Sequence, residues 1–187
     1  MLTSRPSRAR GLTLIEILVG VAIVGILARV AMPTFTTWVR NAQVTAAGES
    51  LAMALRHAQA ESIRRAHQVV FTTTAGTPGP TSPANAGGTN WALHAVPRAG
   101  ETLEFIKGGS LREGGEGAQI SGPSALCFNS IGRRTANASP GVSGATCTLT
   151  TTNAVAQYDV SVSGAQKTMR ISVTINGQVS AYAISTP

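Results

Sequence analysis

Gly11-Leu12-Thr13-Leu14-Ile15-Glu16-Ile17-Leu18-Val19-Gly20-Val21-Ala22-Ile23-Val24-Gly25-Ile26-Leu27-Ala28 is the stretch on which the reading of this chain turns. The apolar run continues to Met32, and a helix from Leu12 to Met32 covers about 32 Å, the depth of a bilayer core. The residues before it hold Arg5, Arg8 and Arg10 and no apolar run, so the positive-inside rule keeps them in the cytoplasm and sends the rest across. An ordinary secretory signal is cut behind its apolar segment, at small residues. Here the junction lies in front, at Gly11. A cut between Gly11 and Leu12 removes the charges and leaves the hydrophobic helix attached. One residue breaks the span, Glu16. A carboxylate inside an apolar helix costs roughly 2.5–3.5 kcal/mol on insertion scales and is a functional candidate by default. After the cut it lies one turn from the new amine of Leu12, at the positive end of the helix dipole.

Gly11-Leu12-Thr13-Leu14-Ile15-Glu16 resembles the class III prepilin signature. The resemblance implies cleavage by a prepilin peptidase, N-methylation of Leu12, and an assembly role for Glu16 in neutralising the amine of an adjacent subunit. Leu12 stands where the family usually has Phe or Met. Pro33 falls where pilins carry a helix-bending proline, and proline does remove a backbone donor from the helix interior. Arg29 is a further departure; its long side chain can snorkel to the headgroups.

Beyond Pro33 the pattern turns amphipathic. Val44, Ala47, Leu51, Leu55, Ala58 and Ser62 recur at three- and four-residue spacing, a stripe suited to packing on a sheet. The expected organisation is a cleaved leader at 1–11, a transmembrane helix at 12–32, an amphipathic half of the same helix at 33–66 and a periplasmic β-rich head at 67–187. Strands are expected at 68–74, 90–96, 102–106, 125–130, 146–152 and 158–163. The glycine-rich 108–117 reads as a loop. Met169, Ile171, Val173 and Ile175 alternate with polar residues, and Asn176-Gly177 precedes a second alternating run, which predicts a type I′ hairpin. Cys127 and Cys147 are the two cysteines, with no C-x-x-C pair or His/Cys cluster, so a disulfide is expected and a metal is not.

The fold class is therefore α+β: a long N-terminal helix, transmembrane in its first half, packed on an antiparallel β-rich head. That order resembles the pilin fold, and within it the GspH/FimT group of minor pilins and pseudopilins. The carrying residues are Ala58-Gln59-Ala60-Glu61-Ser62-Ile63-Arg64-Arg65, Asn90-Trp91, Leu126-Cys127-Phe128-Asn129-Ser130-Ile131-Gly132-Arg133 and Arg170-Ile171-Ser172-Val173. The resemblance implies a structural subunit of a type IV pilus or a type II secretion pseudopilus, in the initiating or tip complex. Its partners would be other major and minor pilins or pseudopilins, the prepilin peptidase and the inner membrane.

The formal charge is +7. Without the three leader arginines, twelve basic residues face eight acidic ones, a net of +4. Some FimT-like pilins are DNA receptors, and clustered cations bind phosphates with little sequence preference. Arg133, Arg134, Lys167 and Arg170 are the candidate DNA contacts, with Lys107 and Arg112 as outliers. The DNA-receptor members carry Gly-Arg-x-Arg near the C-terminus; the matching turn here reads Gly177-Gln178-Val179-Ser180, without either arginine. An enzyme is not expected. His57, His67, His94 and Asp159 are scattered, Glu101 and Glu104 suit a solvated strand edge, and neither a Gly-x-Ser-x-Gly elbow nor an H-E-x-x-H helix is present. No cofactor is implied.

Overall fold

The structure is a computed structural model of the chain, and it describes residues 13–98, 100–111, 117–149 and 154–185. Gly11, Leu12 and Arg112 lie outside them. Two compact units divide at Thr36/Thr37. Helix α1 (Leu14–Arg64) contributes to both.

In the first unit Thr13 starts the helix. Its hydroxyl accepts the N–H of Glu16 at 3.3 Å and its carbonyl accepts the same N–H at 3.1 Å. Thr-x-x-Glu at a helix start is the sequence of a capping box, and these contacts are its Thr13 half. Every side chain from Thr13 to Thr36 is exposed. Pro33 lies inside an unbroken helix, and the Thr36 hydroxyl donates to the Pro33 carbonyl at 2.9 Å.

The second unit holds the rest of α1 and two antiparallel sheets. The strands are β1 (Val69–Thr74), β2 (Asn90–Ala95), β3 (Glu104–Ser110), β4 (Ala118–Ser121), β5 (Ala125–Phe128), β6 (Arg134–Thr135), β7 (Val155–Val162), β8 (Lys167–Thr174) and β9 (Val179–Ser185). The first sheet has the order β3-β2-β1-β5-β6 and the second β4-β7-β8-β9. The expected helical stripe is the buried one: Val44, Ala47, Leu51, Leu55, Ala58 and Ser62 are all buried, joined by Gly48, Ala52 and Ala54. Val44, Ala47, Leu51, Ala52, Ala54, Leu55 and Ala58 share one core with Val69, Phe71, Leu93 and Phe128 of the first sheet and with Tyr158, Val160, Met169, Ile171 and Val173 of the second. Gly48 is required by this packing, since a Cβ there would lie 2.6 Å from the Cβ of Met169.

The helix ends in a Schellman arrangement. His67 N–H donates to the Ser62 carbonyl and Ala66 N–H to that of Ile63, both at 3.0 Å. The left-handed position this needs is held by Ala66, at φ 47°. Glycine is the usual occupant because it lacks the Cβ penalty. Ala66→Gly is therefore expected to stabilise the protein by about 0.5–1 kcal/mol, raising Tm by about 2 °C in a thermal melt in detergent.

The first sheet is covered on its other face too. Val70, Val96, Ala125, Cys127, Val142, Ala145 and Cys147 form a second small core. Cys127 and Cys147 are bonded, with Cα atoms 5.7 Å apart, as expected. The bond clips the segment after β6 onto β5. Residues 146–149 were expected to begin a strand; instead Cys147 makes a single bridge with Asn137, each N–H donating to the other's carbonyl at 2.8–2.9 Å. Residues 150–153 of that expected strand lie outside the described residues. Closing this loop contributes on the order of 3 kcal/mol. Cys127→Ser, or reductant, is expected to lower Tm by about 6–12 °C, and equal melting with and without reductant would refute that contribution.

Three further differences have physical causes. Gly108 and Gly109, expected in a loop, belong to β3, because the space above them is filled. A Cβ on Gly109 would lie 2.8 Å from the Trp91 indole, and one on Gly108 would lie 2.2 Å from Pro78. β4 and β6 were not expected; β6 has two residues, too few to show alternation, and β4 alternates over only four, Ala118–Ser121, next to the glycine-rich stretch. The β8–β9 hairpin is present, but its turn is not type I′, which needs positive φ at two successive residues. Thr174 N–H donates to the Gln178 carbonyl at 3.1 Å and Gly177 N–H to that of Thr174 at 2.9 Å. Gly177 alone in the turn has positive φ, at 84°. This is a three-residue loop ending in a left-handed glycine.

Candidate assembly surface and basic residues

Two parts of α1 are used in opposite ways. From Leu14 to Phe35 the large apolar side chains stand 52–78% exposed, whereas the 44–62 stripe is inside the core. The helix is apolar and long enough to cross a membrane. Glu16 is the one acidic side chain of its first turn and is exposed.

The basic candidates do not form one patch. Lys167 opens β8, near where the Asn41 side chain of α1 accepts the Gln166 N–H at 2.9 Å. Arg133 lies beyond the other end of that strand, since Arg134 N–H donates to the Ile175 carbonyl at 2.9 Å. Seven residue steps along β8 put these ends roughly 23 Å apart. Arg170 is engaged by Asp159 on the neighbouring β7, through two nitrogen–oxygen contacts of 2.7 and 2.8 Å, and the carboxylate raises its pKa.

Arg134 corrects the expectation of a phosphate contact. It is only 5% exposed. Its Nη1 donates to the carbonyls of Val173 at 3.1 Å and Ala154 at 3.2 Å, and its Nη2 to that of Thr148 at 3.5 Å. Burial lowers its pKa. The guanidinium ties β6 of the first sheet to β8 of the second. Beside it lies a cleft of about 280 Å³, also lined by Pro123, Leu126, Thr148, Val155 and Gln157. Tyr158 is fully buried, which raises its pKa, and its hydroxyl meets no hydrogen-bond partner among the described residues.

The remaining titratable groups serve the fold. Glu61 binds Arg64 at 2.6 Å and Arg65 at 3.0 Å, and Arg65 reaches Glu104 of β3 at 2.8 Å. The two guanidinium groups, Arg64 first, bring the Glu61 carboxyl down to about 2. Of the histidines, His57 lies 3.6 Å from Glu61, His67 meets the Val96 carbonyl, and His94 is buried against Phe105 with Nε2 at 3.2 Å from the Gly79 carbonyl. Glu101 accepts the Arg98 N–H and does not join Glu104. No three His, Cys, Asp or Glu side chains gather as a metal-binding group among the described residues.

Residues 47–177 match the family described as Type II transport protein GspH. The chain belongs to that family. Residues 6–28 match the prokaryotic N-terminal methylation motif. No curated protein matches the chain in sequence. Among solved structures, the fold is similar to the Pseudomonas aeruginosa type IV minor pilin FimU, at 11% identity and TM-score 0.51, over 77% of this chain and 88% of that one. The minor pseudopilin EpsH from the type 2 secretion system of Vibrio cholerae also matches, at 13% identity and TM-score 0.46, over 76% of this chain and 97% of that one. This GspH-family chain has a pilin-like fold, the α+β architecture of one long helix packed on antiparallel sheets.

Proposed function

We propose that this chain is a minor pilin or pseudopilin that works mechanically, as a filament subunit of the initiating or tip complex. The leader, 1–11, is removed by a prepilin peptidase between Gly11 and Leu12, and Leu12 is N-methylated. Residues 12–32 hold the subunit in the inner membrane with the head in the periplasm, until the helix is drawn into a type IV pilus or a type II secretion pseudopilus. Glu16 then pairs with the amine of a neighbouring subunit, and Gly20 and Gly25, with open space around them, permit close helix approach. The observation that carries this reading is the division of α1 into a fully exposed apolar half and a buried amphipathic half, beneath a methylation motif.

The deciding experiment measures sheared surface pili in a strain deleted for this gene, with wild-type and complemented controls. Loss of pili restored by complementation assigns the protein to pilus initiation. Normal pili with lost protein secretion assign it to the pseudopilus. Normal pili with normal secretion overturn the reading.

A further inference from the structure

The two sheets have four edge strands: β3 and β6 in the first, β4 and β9 in the second. An edge presents unpaired N–H and C=O groups, and proteins blunt edges with charge, brevity or irregularity. Three of these edges are blunted. β3 carries Glu104 and Lys107, and its register with β2 shifts between Leu93 and His94. β6 has two residues. β4 has four, and the 85–88 turn approaches it, so that a Cβ on Gly87 would lie 3.6 Å from the Ile120 carbonyl oxygen.

β9 has no such device. Val179–Ser185 holds seven residues without a charge or a proline, in unbroken register with β8. The Thr174–Gln178 hydrogen bond sets the parity of the hairpin. Ser180, Tyr182 and Ile184 turn their backbone groups toward β8, and Val179, Ala181, Ala183 and Ser185 turn theirs outward. The Val179 carbonyl shows this directly, since it accepts Nη2 of Arg56 at 3.3 Å. The outward groups of Ala181, Ala183 and Ser185 meet no backbone or side-chain partner among the described residues. Met53, 61% exposed and three residues before Arg56 on the helix, adds apolar surface on that flank.

We propose that the open edge of β9 docks an extended, uncharged strand of a neighbouring filament subunit, added as a fifth strand of the second sheet. The inference rests on the filament reading above. The same reading selects a different subunit over a second copy. As a minor subunit of an initiating or tip complex, the chain has other pilin-like subunits beside it, and the occupant is a strand of one of these.

The test places a photo-crosslinking residue at Ser185 of the full-length chain, in cells that make its native neighbours, with Gln119 on β4 as the control site. The expected result is one adduct from Ser185 and none from Gln119, identified by mass spectrometry as another pilin-like subunit. Ala183→Pro, which removes an outward N–H and leaves the β8 ladder intact, should reduce that adduct at least about fivefold without lowering Tm. Ala183→Lys should act in the same direction by charging the edge, and it stands in if the proline variant fails to fold. An adduct with a second copy, or one insensitive to both substitutions, overturns the proposal. So does a chain present in sheared filaments without an adduct, which leaves the filament reading standing. Absence from filaments altogether overturns that reading instead.

Discussion

Arg134→Ala is expected to destabilise the head by about 3–4 kcal/mol, a fall in Tm of about 10 °C. The side chain supplies donors to the carbonyls of Val173, Ala154 and Thr148 from a buried position. Its removal leaves these acceptors without that donor and opens a void beside the existing cleft. Unpaired buried carbonyls each cost about 1–3 kcal/mol, partly relieved where water from the cleft reaches them. Arg134→Lys should recover little, because the three donors of an ammonium leave one nitrogen, whereas these carbonyls are met from two nitrogens of a planar guanidinium. Arg133→Ala is the control; it is exposed, and its removal should change stability by no more than about 0.5 kcal/mol. Thermal melting of the three variants decides the matter. An Arg134→Ala protein that melts with the wild type would remove the assigned role.

The pair Arg133-Arg134 shows where a sequence stops being legible. Gly132-Arg133-Arg134 reads as a basic turn, because charge carries no information about the parity of a strand. Parity here is set by β6, which has two residues and is held by pairing with Cys127 and Phe128. So short an element shows no alternation to read. Arg170 is a related case: its neutralising partner, Asp159, is eleven residues away and meets it only through the β7–β8 register. Longer features were legible. The 44–62 stripe repeats often enough to fix the buried face of α1 before any contact is known. The disulfide was legible from two cysteines in a chain whose N-terminus reads as an export signal. The glycines of β3 were misread because a glycine in a turn and one beneath an indole look alike until Trp91 is placed. The open edge of β9 needed the topology, since the absence of charge is informative only at an edge.

Glu16→Ala is expected to leave the amount of membrane-inserted protein unchanged and to lower its recovery in sheared filaments at least about tenfold. Insertion follows from the apolar run, and removing a carboxylate makes that run easier to insert. Assembly is different. A charged amine entering a filament core needs a partner, and a charge-assisted hydrogen bond is worth about 1.5–3 kcal/mol. At 1.4 kcal/mol per factor of ten, that corresponds to roughly ten- to hundredfold in incorporation. The Thr13-x-x-Glu16 capping-box sequence makes a competing account available, in which the Glu16 side chain serves only to start α1. Glu16→Gln separates the two. Glutamine is also accepted at the third position of a capping box, so helix initiation survives, whereas the negative charge is gone. If the charge sets the pairing, Gln fails in filaments as Ala does. If the cap is the whole role, Gln assembles like the wild type. Equal recovery of all three proteins would leave Glu16 without a part in assembly. Recovery of Gln alone would move the function from the neighbouring subunit's amine back to the helix that carries it.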